Sequence, residues 1–266
     1  MKKSFFTIFF LGLIMMSHDV LSLPQRVGLQ ALVDYDGIPA DYRGGIYQNA
    51  PRLFLFCRQD RRYHCLLMLR DSSGELVREE NGKLWSLPAL ALAKQGKPST
   101  VKEGYTPTGV YTIDSVMPDT DRPIVYGQYR RLIMNFIPKS SNEELLKSFI
   151  PPQLRANDWW EESRIARDIG RTALRIHGAG FKNYNPFSKH YPFVKTVGCI
   201  SMREGQYGSK YYQDQRVLLD AMMRAQGLVP KYENETAIRA LLYVIEINNR
   251  KGPVTLDEMN WYLERS

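Results

Sequence analysis

Apolar residues in the first part of the chain follow the pattern of β-strands. Two apolar runs, residues 53–56 and 66–69, flank a short polar stretch and predict a β-hairpin. Residues 131–136 and 172–177 are further runs rich in apolar and β-branched residues, and they predict two more strands. We therefore expect a β-rich domain over residues 51–205.

Helical spacing of apolar residues begins later in the chain. It predicts helices over residues 141–149, 158–170, 211–226, 236–248 and 255–263. The fourth of these contains Tyr-Val-Ile-Glu-Ile, a run that could form a strand instead. We interpret residues 206–266 as a C-terminal helical extension, which could pack on the β-rich domain or recruit a protein partner. The expected fold class is α+β.

The N-terminal residues have the pattern of a secretion signal. Lys2 and Lys3 precede an apolar stretch over residues 5–16, which is as long as a signal-peptide core and shorter than a membrane-spanning helix needs to be. We expect residues 1–22 to be cleaved, with no stable membrane span afterwards; an uncleaved anchor is the alternative. Residues 23–50 follow as an irregular segment. The chain is therefore predicted to be exported to the periplasm or cell envelope.

The charge of the chain suits an anionic neighbourhood. Its 266 residues carry a formal net charge of +8, and the pI is about 9.3. A cell-wall polymer or a membrane surface would attract such a protein, although unspecific surface charge explains the value equally well. The sequence has no basic block interleaved with aromatic residues and no nucleic-acid motif, so we expect no nucleic-acid partner.

The three cysteines become informative once export is expected. In an oxidising compartment, three cysteines leave one unpaired in any monomer. Cys57 and Cys65 flank the predicted hairpin turn and are expected to form a disulfide, with a reduced pair as the alternative. A zinc site on these two residues and His64 would lack a nearby fourth ligand. Cys199 is then the free thiol.

Cys199 and His177 form a candidate catalytic pair. Cys199 follows Gly198, which lets the backbone bend sharply, and His177 ends a predicted strand. An imidazole that takes the proton of a thiol is the minimal requirement for thiolate catalysis, and the resulting ion pair would hold the thiolate near neutral pH. A buried inert cysteine beside a core histidine is the alternative.

The segment between these two residues is long and aromatic. Residues 179–195 include Phe181, Tyr184, Phe187 and Tyr191, and a long ordered loop of this kind is often functional. It could form a lid or a cleft wall, or it could be held down by local packing alone. We expect His190 to be an exposed loop residue, with a substrate contact as the alternative.

Three short motifs occur in one order along the chain. They are Thr-Pro-x-Gly-x-Tyr at residues 106–111, Ile-His-Gly at 176–178 and Thr-x-Gly-Cys-Ile at 196–200. With them, residues 51–205 resemble the L,D-transpeptidase catalytic domain, also called the YkuD family. The resemblance implies a mostly-β, sandwich-like or barrel-like domain with the cysteine at the edge of a cleft, and no cofactor or metal ion.

The resemblance also implies roles for individual residues. Cys199 would attack the L,D-peptide bond before the terminal D-alanine of a peptidoglycan tetrapeptide stem, and His177 would be the general base. The carbonyl of Gly178 would orient the imidazole. The amide of Cys199, presented by Gly198, would stabilise the oxyanion. An amine acceptor would make the enzyme a transpeptidase, whereas water would make it a carboxypeptidase.

Substrate-binding candidates lie within these motifs or shortly after them. They are Tyr111, Thr196, Ser201 and Arg203. Relatives often have histidine where this chain has Val197, and arginine where it has Ser201; Arg203 could bind a substrate carboxylate instead. These departures put donor and acceptor specificity in doubt. A hydrolase and a catalytically silent wall-binding protein are therefore the alternatives to a transpeptidase.

Overall fold

The structure is a computed structural model that describes residues 23–114, 116–117, 122–180 and 185–263. The predicted signal peptide, residues 1–22, lies outside the described residues. Within the described ranges, no helix is both long enough and apolar enough to cross a membrane.

The described residues form three sheets. The strands are β1 Arg52–Arg58, β2 Cys65–Arg70, β3 Ser86–Ala89, β4 Gly109–Ile113, β5 Leu132–Ile133, β6 Asn135–Phe136, β7 Arg175–His177, β8 Ile200–Ser201, β9 Glu204–Tyr207, β10 Lys210–Gln213 and β11 Ala240–Asn248. Six strands make the main sheet, in the order β3-β2-β1-β11-β4-β6. A second sheet has the order β5-β7-β8, and β9 and β10 form a separate hairpin.

The α-helices of the described residues are fewer than the strands. They are α1 Leu23–Val33, α2 Pro123–Tyr126, α3 Glu144–Ser148, α4 Glu161–Asp168, α5 Asp214–Ala225 and α6 Leu256–Leu263. The mixture of sheets and helices agrees with the predicted α+β class. Helix α1 occupies much of the segment predicted to be irregular, because Leu29, Leu32 and Val33 pack into the core.

The predicted C-terminal segment has its first and last helices, α5 and α6, but the helix predicted between them is wrong. Residues 240–248 of the helix predicted over 236–248 form β11 instead, which lies between β1 and β4 in the middle of the main sheet. It pairs in parallel with β1, so that Arg52 is opposite Leu241, and antiparallel with β4. A boundary after residue 205 would also cut through the β9–β10 hairpin. Residues 206–266 are therefore part of the sheet domain.

The main sheet is covered on both faces, which explains why its strands are apolar without strict alternation. Leu53 and Leu55 face a core formed with α5 and the β5-β7-β8 sheet. Phe54 and Phe56 face a second core, formed with α1, α3 and α6. The β7–β8 pair, which carries the two candidate catalytic residues, is thereby anchored on a rigid sheet.

The predicted disulfide is confirmed. Cys57 in β1 and Cys65 at the start of β2 are bonded to each other, and Cys199 is free. Both paired sulfurs are consumed by this bond, which excludes the alternative zinc site with His64. Of the three cysteines in the sequence, only Cys199 can act as a nucleophile.

Candidate active site

Strands β7 and β8 bring the candidate catalytic residues together. They run in parallel and pair Ile176 with Ile200 and His177 with Ser201. The two isoleucines are buried in the core. Because adjacent residues of a strand point to opposite faces, His177 points away from that core. Cys199 directly precedes β8, so the two residues lie on neighbouring segments of the chain, one at the end of β7 and one at the start of β8.

A backbone carbonyl orients the imidazole of His177. The Nδ1 atom lies 2.6 Å from the carbonyl oxygen of Gly178, and a carbonyl can only accept, so Nδ1–H is the donor. The Nε2 atom is then the unprotonated nitrogen that could take a proton. The ring of Tyr126 meets the imidazole edge to face, with 5.1 Å between ring centroids.

Burial keeps the imidazole of His177 uncharged. Desolvation by burial is the main cause that lowers the pKa of His177, and the cationic side chains of Arg131, Arg175 and Lys94 lower it further. The pKa of His177 is about 4. The hydrogen bond to Gly178 acts in the opposite direction and is outweighed. At neutral pH, His177 is therefore a neutral base.

Threonine hydroxyls shape the turn that carries Cys199. The Thr196 hydroxyl accepts a hydrogen bond from the Gly198 amide at 3.2 Å and donates one to the Cys199 carbonyl at 2.7 Å. The hydroxyl of Thr106, the first residue of the Thr-Pro-x-Gly-x-Tyr motif, donates to the same carbonyl at 3.3 Å. The role of Thr196 is therefore to hold the turn, and Thr106 is a further residue of the site.

Gly198 and Arg171 fix the other side of the turn. Gly198 has a φ of 118°, which favours glycine, and a Cβ at this position would overlap the guanidinium of Arg171. That buried guanidinium donates to the carbonyls of Ser99, Gly104 and Tyr105, and to that of Val197 at 3.4 Å. Arg171 thus ties the turn to the loop before β4.

The thiol of Cys199 is buried and protonated. It donates to the carbonyl of Ala173, with 3.7 Å between sulfur and oxygen. Burial raises the pKa of Cys199 above its ordinary value, although a backbone hydrogen bond from Arg175 and the nearby arginine charges oppose the shift. The thiol and the imidazole are both neutral in the free protein, so the predicted resting ion pair is wrong. Proton transfer has to accompany attack on the substrate.

This neutral resting state predicts the pH dependence of alkylation. Since the pKa of Cys199 lies above its usual range, we expect the rate of modification by iodoacetamide to rise about 100-fold between pH 6 and pH 8. Stopped samples analysed by intact mass would give the rates, and the urea-denatured protein is the control for an ordinary thiol. A plateau of fast alkylation below pH 7 would instead show a resting ion pair.

The lowered pKa of His177 also predicts a loss of stability in acid. A histidine that titrates near 6.5 when unfolded and near 4 when folded binds more protons in the unfolded state, so stability is lost as the pH falls from 6.5 through 4. The full pKa difference lowers the free energy of unfolding by about 3 kcal/mol. Urea unfolding at pH 7 and pH 4 would measure it, and His177→Gln should show a correspondingly smaller difference.

Tyr111 is not a substrate-binding residue. It lies in β4 with no exposed surface, and its hydroxyl donates to the carbonyl of Pro107 at 2.8 Å. Its ring packs against Phe136, with 5.4 Å between centroids. The prediction of a substrate contact is wrong because this side chain is part of the core. Tyr111 instead holds the turn of its own motif.

Ser201 and Arg203 are likewise engaged within the protein. Ser201 is fully buried, and its hydroxyl accepts a hydrogen bond from the Val194 amide at 3.0 Å, so its predicted contact with substrate is wrong. Arg203 forms an ion pair with Asp214, at 2.5 Å from Nε to Oδ2. Its guanidinium also lies 4.2 Å from the ring centroid of Tyr212. The charge of Arg203 is therefore neutralised by Asp214, and Arg203 is not free to bind a substrate carboxylate.

A buried carboxylate lies against the residue that orients His177. Burial raises the pKa of Glu204, whose Oε1 accepts a hydrogen bond from the Gln128 amide at 2.7 Å. Its Oε2 packs against Gly178 so closely that a Cβ on that glycine would overlap it, and Gly127 is approached in the same way. Glu204 therefore supports the backbone that presents the carbonyl to the imidazole.

The loop between His177 and Cys199 is partly described. Residues 181–184, with two of its aromatic side chains, lie outside the described residues. The prediction that His190 is exposed is wrong, because its side chain is buried and lies near His64, with 6.4 Å between ring centroids. Phe193 packs against the same His64 ring at 4.5 Å. The second half of the loop is thus packed onto the β1–β2 hairpin.

No protein-family model, curated protein or solved structure matches the chain. Across the part of the chain that the structure describes, no group of three histidine, cysteine or carboxylate side chains is arranged to hold a metal ion. The resemblance to the L,D-transpeptidase family therefore rests on the three motifs.

Proposed function

We propose that the protein is a cysteine acyltransferase of the L,D-transpeptidase type, acting on peptidoglycan tetrapeptide stems in the periplasm or cell envelope. The main support is the pairing of β7 with β8, because the oriented imidazole of His177 ends β7 and the free thiol of Cys199 directly precedes β8. The Cys57–Cys65 disulfide suits an oxidising compartment.

The donor step uses only these two side chains and the backbone around them. Nε2 of His177 accepts the thiol proton as Sγ of Cys199 attacks the carbonyl carbon before D-alanine. The carbon–nitrogen bond then breaks, and the imidazolium returns the proton to the leaving amine of D-alanine. A thioester remains on Cys199. The Gly198 amide is already bonded to Thr196, so the Cys199 amide is the donor that would face the oxyanion.

The acceptor step decides between the two possible products. When the amine of a second stem attacks the thioester, His177 takes the amine proton, a new amide forms and the thiol is regenerated. When water attacks, the product is a tripeptide stem with a free carboxylate. The neutral imidazole of His177 can accept a proton from either acceptor.

Purified protein incubated with disaccharide-tetrapeptide would test the proposal. We expect mass spectrometry to show loss of D-alanine, a thioester adduct on Cys199, and either dimers or exchange with an added D-amino acid. Loss of D-alanine without dimers or exchange would assign the carboxypeptidase reaction. Absence of any product and any adduct would reject the enzyme and favour a silent wall-binding protein.

A further inference from the structure

A basic pocket of about 450 Å³ lies beside the Cys199 turn. One wall is the segment Leu92–Gly96 and the other is the second half of the loop between His177 and Cys199. Its charged lining residues are Arg62, Lys94, Lys189 and Lys195, and its polar ones are Gln95, Tyr105 and His190. The volume is within the range of pockets that hold small ligands. We call this cavity the lysine pocket.

The lysines of this pocket lack counter-charges. Lys94, Lys189 and Lys195 are exposed, and no carboxylate among the described residues forms an ion pair with any of them. By contrast, neighbouring Lys97 is paired with Glu103 at 3.6 Å. Like charges collected around one cavity repel each other and raise the local concentration of anions. The arrangement is therefore one that a bound anion would stabilise.

Backbone hydrogen bonds connect the lysine pocket to the nucleophile. The Lys94 amide donates to the carbonyl of Thr196 at 2.8 Å, and the Thr196 amide donates to the carbonyl of Leu92 at 3.0 Å. The hydroxyl of Thr196 in turn holds the Cys199 carbonyl. The charge of Lys94 also contributes to lowering the pKa of His177, so it acts across the distance between pocket and imidazole. A ligand in the pocket would lie next to the candidate active site.

His190 gives the pocket a neutral polar group among the lysines. Burial lowers the pKa of His190, and the charges of Lys195 and Lys189 lower it further. The imidazole is thus uncharged at neutral pH and can donate one hydrogen bond. The wall is held in place because His190 and Phe193 pack on His64 of the hairpin.

We propose that the lysine pocket binds free carboxylates of the peptide stem and positions the stem against Cys199. The inference rests on the proposed function and names the feature of the substrate that the site recognises. A tetrapeptide stem of a peptidoglycan carries several carboxylates along a short chain, which matches several cations around one cavity. Arg203, the residue expected from sequence to bind a carboxylate, is paired with Asp214, so the pocket supplies the cations that Arg203 does not.

Binding measurements without turnover test this proposal. In a Cys199→Ala background, the triple variant Lys94→Gln/Lys189→Gln/Lys195→Gln removes the charges of the pocket. Its control, Lys83→Gln/Lys231→Gln/Lys251→Gln, removes three exposed lysines from elsewhere and changes the net charge equally. We expect calorimetry with disaccharide-tetrapeptide to show about tenfold weaker binding for the pocket variant and unchanged binding for the control.

Stems with amidated carboxylates show whether the pocket recognises the charge of the stem or its shape. A disaccharide-tetrapeptide with its side carboxylates converted to carboxamides should bind the parent and the pocket variant equally. Equal binding of the free-acid stem to both triple variants would overturn the proposal. So would a Cys199→Ala protein that does not bind the stem, or one that binds inorganic polyphosphate but not the stem. The Cys199→Ala protein could bind the stem through the pocket while the protein that keeps Cys199 releases no D-alanine. This pair of results would refute the catalytic function and leave the pocket as a binding site.

Discussion

Cys199→Ser is expected to abolish the release of D-alanine from disaccharide-tetrapeptide, with a fall in kcat of at least about 1,000-fold. Serine is a much weaker acid than cysteine, and the base available to it, His177, has a pKa of only about 4. Such a base cannot deprotonate a hydroxyl at a useful rate. Mass spectrometry would report both the missing D-alanine and the missing adduct on the protein.

Two controls keep this result specific. Serine is nearly the size of cysteine, so the melting temperature of the variant and its affinity for the stem should match those of the parent. Cys57 and Cys65 are bonded to each other and cannot replace the lost thiol. A variant that still released D-alanine at the parental rate would show that Cys199 is not the nucleophile.

Gly178→Ala is expected to lower kcat by about 100-fold, since displacement of a catalytic group by about 1 Å has effects of this size. The added methyl group would overlap Oε2 of Glu204, which is buried and has no room to retreat between Gly178 and Gly127. The carbonyl that orients His177 would then shift. Steady-state kinetics with the tetrapeptide would measure the change in kcat.

A second substitution shows whether the collision is the cause. Glu204→Ala removes the carboxylate that the new methyl group meets, so Gly178→Ala/Glu204→Ala should recover part of the lost kcat. Melting temperatures of all variants would separate a displaced imidazole from an unfolded protein. Full activity of a stably folded Gly178→Ala would mean that the position of this backbone does not control His177.

Local features of the fold could be predicted from the sequence. The hairpin and its disulfide follow from two apolar runs around a polar turn, and the strand ending at His177 follows from its β-branched residues. The helix over Asp214–Ala225 follows from apolar spacing that ends before a glycine. In the hairpin and this helix the decisive interactions join residues close in sequence, so a local pattern is sufficient.

Long-range features could not be predicted in this way. Residues 240–248 have an apolar run that suits either a helix or a buried strand, and the choice depends on pairing with β1 and β4, which are far away in the chain. The assignment of Tyr111 to the site follows from the motif at residues 106–111. Because β4 is buried on both faces, its sequence does not reveal which face Tyr111 occupies.

Part of the candidate site shows no signal in the sequence. Arg171 and Glu204 belong to no motif, yet they border the turn of Cys199 and the carbonyl of Gly178. Thr106 lies in a motif, but its link to the Cys199 carbonyl becomes visible only when the strands are assembled. Burial likewise reverses the expected charge state of the Cys199–His177 pair, which residue types alone cannot reveal.

The position of β11 has a consequence for the order in which the protein is made. The centre of the main sheet joins Arg52 to Leu241, so β1 and β4 stay unconnected until almost the whole chain is available. Closing so long a loop is entropically costly and slows folding. A chain emerging from the ribosome would therefore remain without its central strand until synthesis is nearly complete. Under the proposed location in the periplasm or cell envelope, such a delay would favour transport across the membrane before folding.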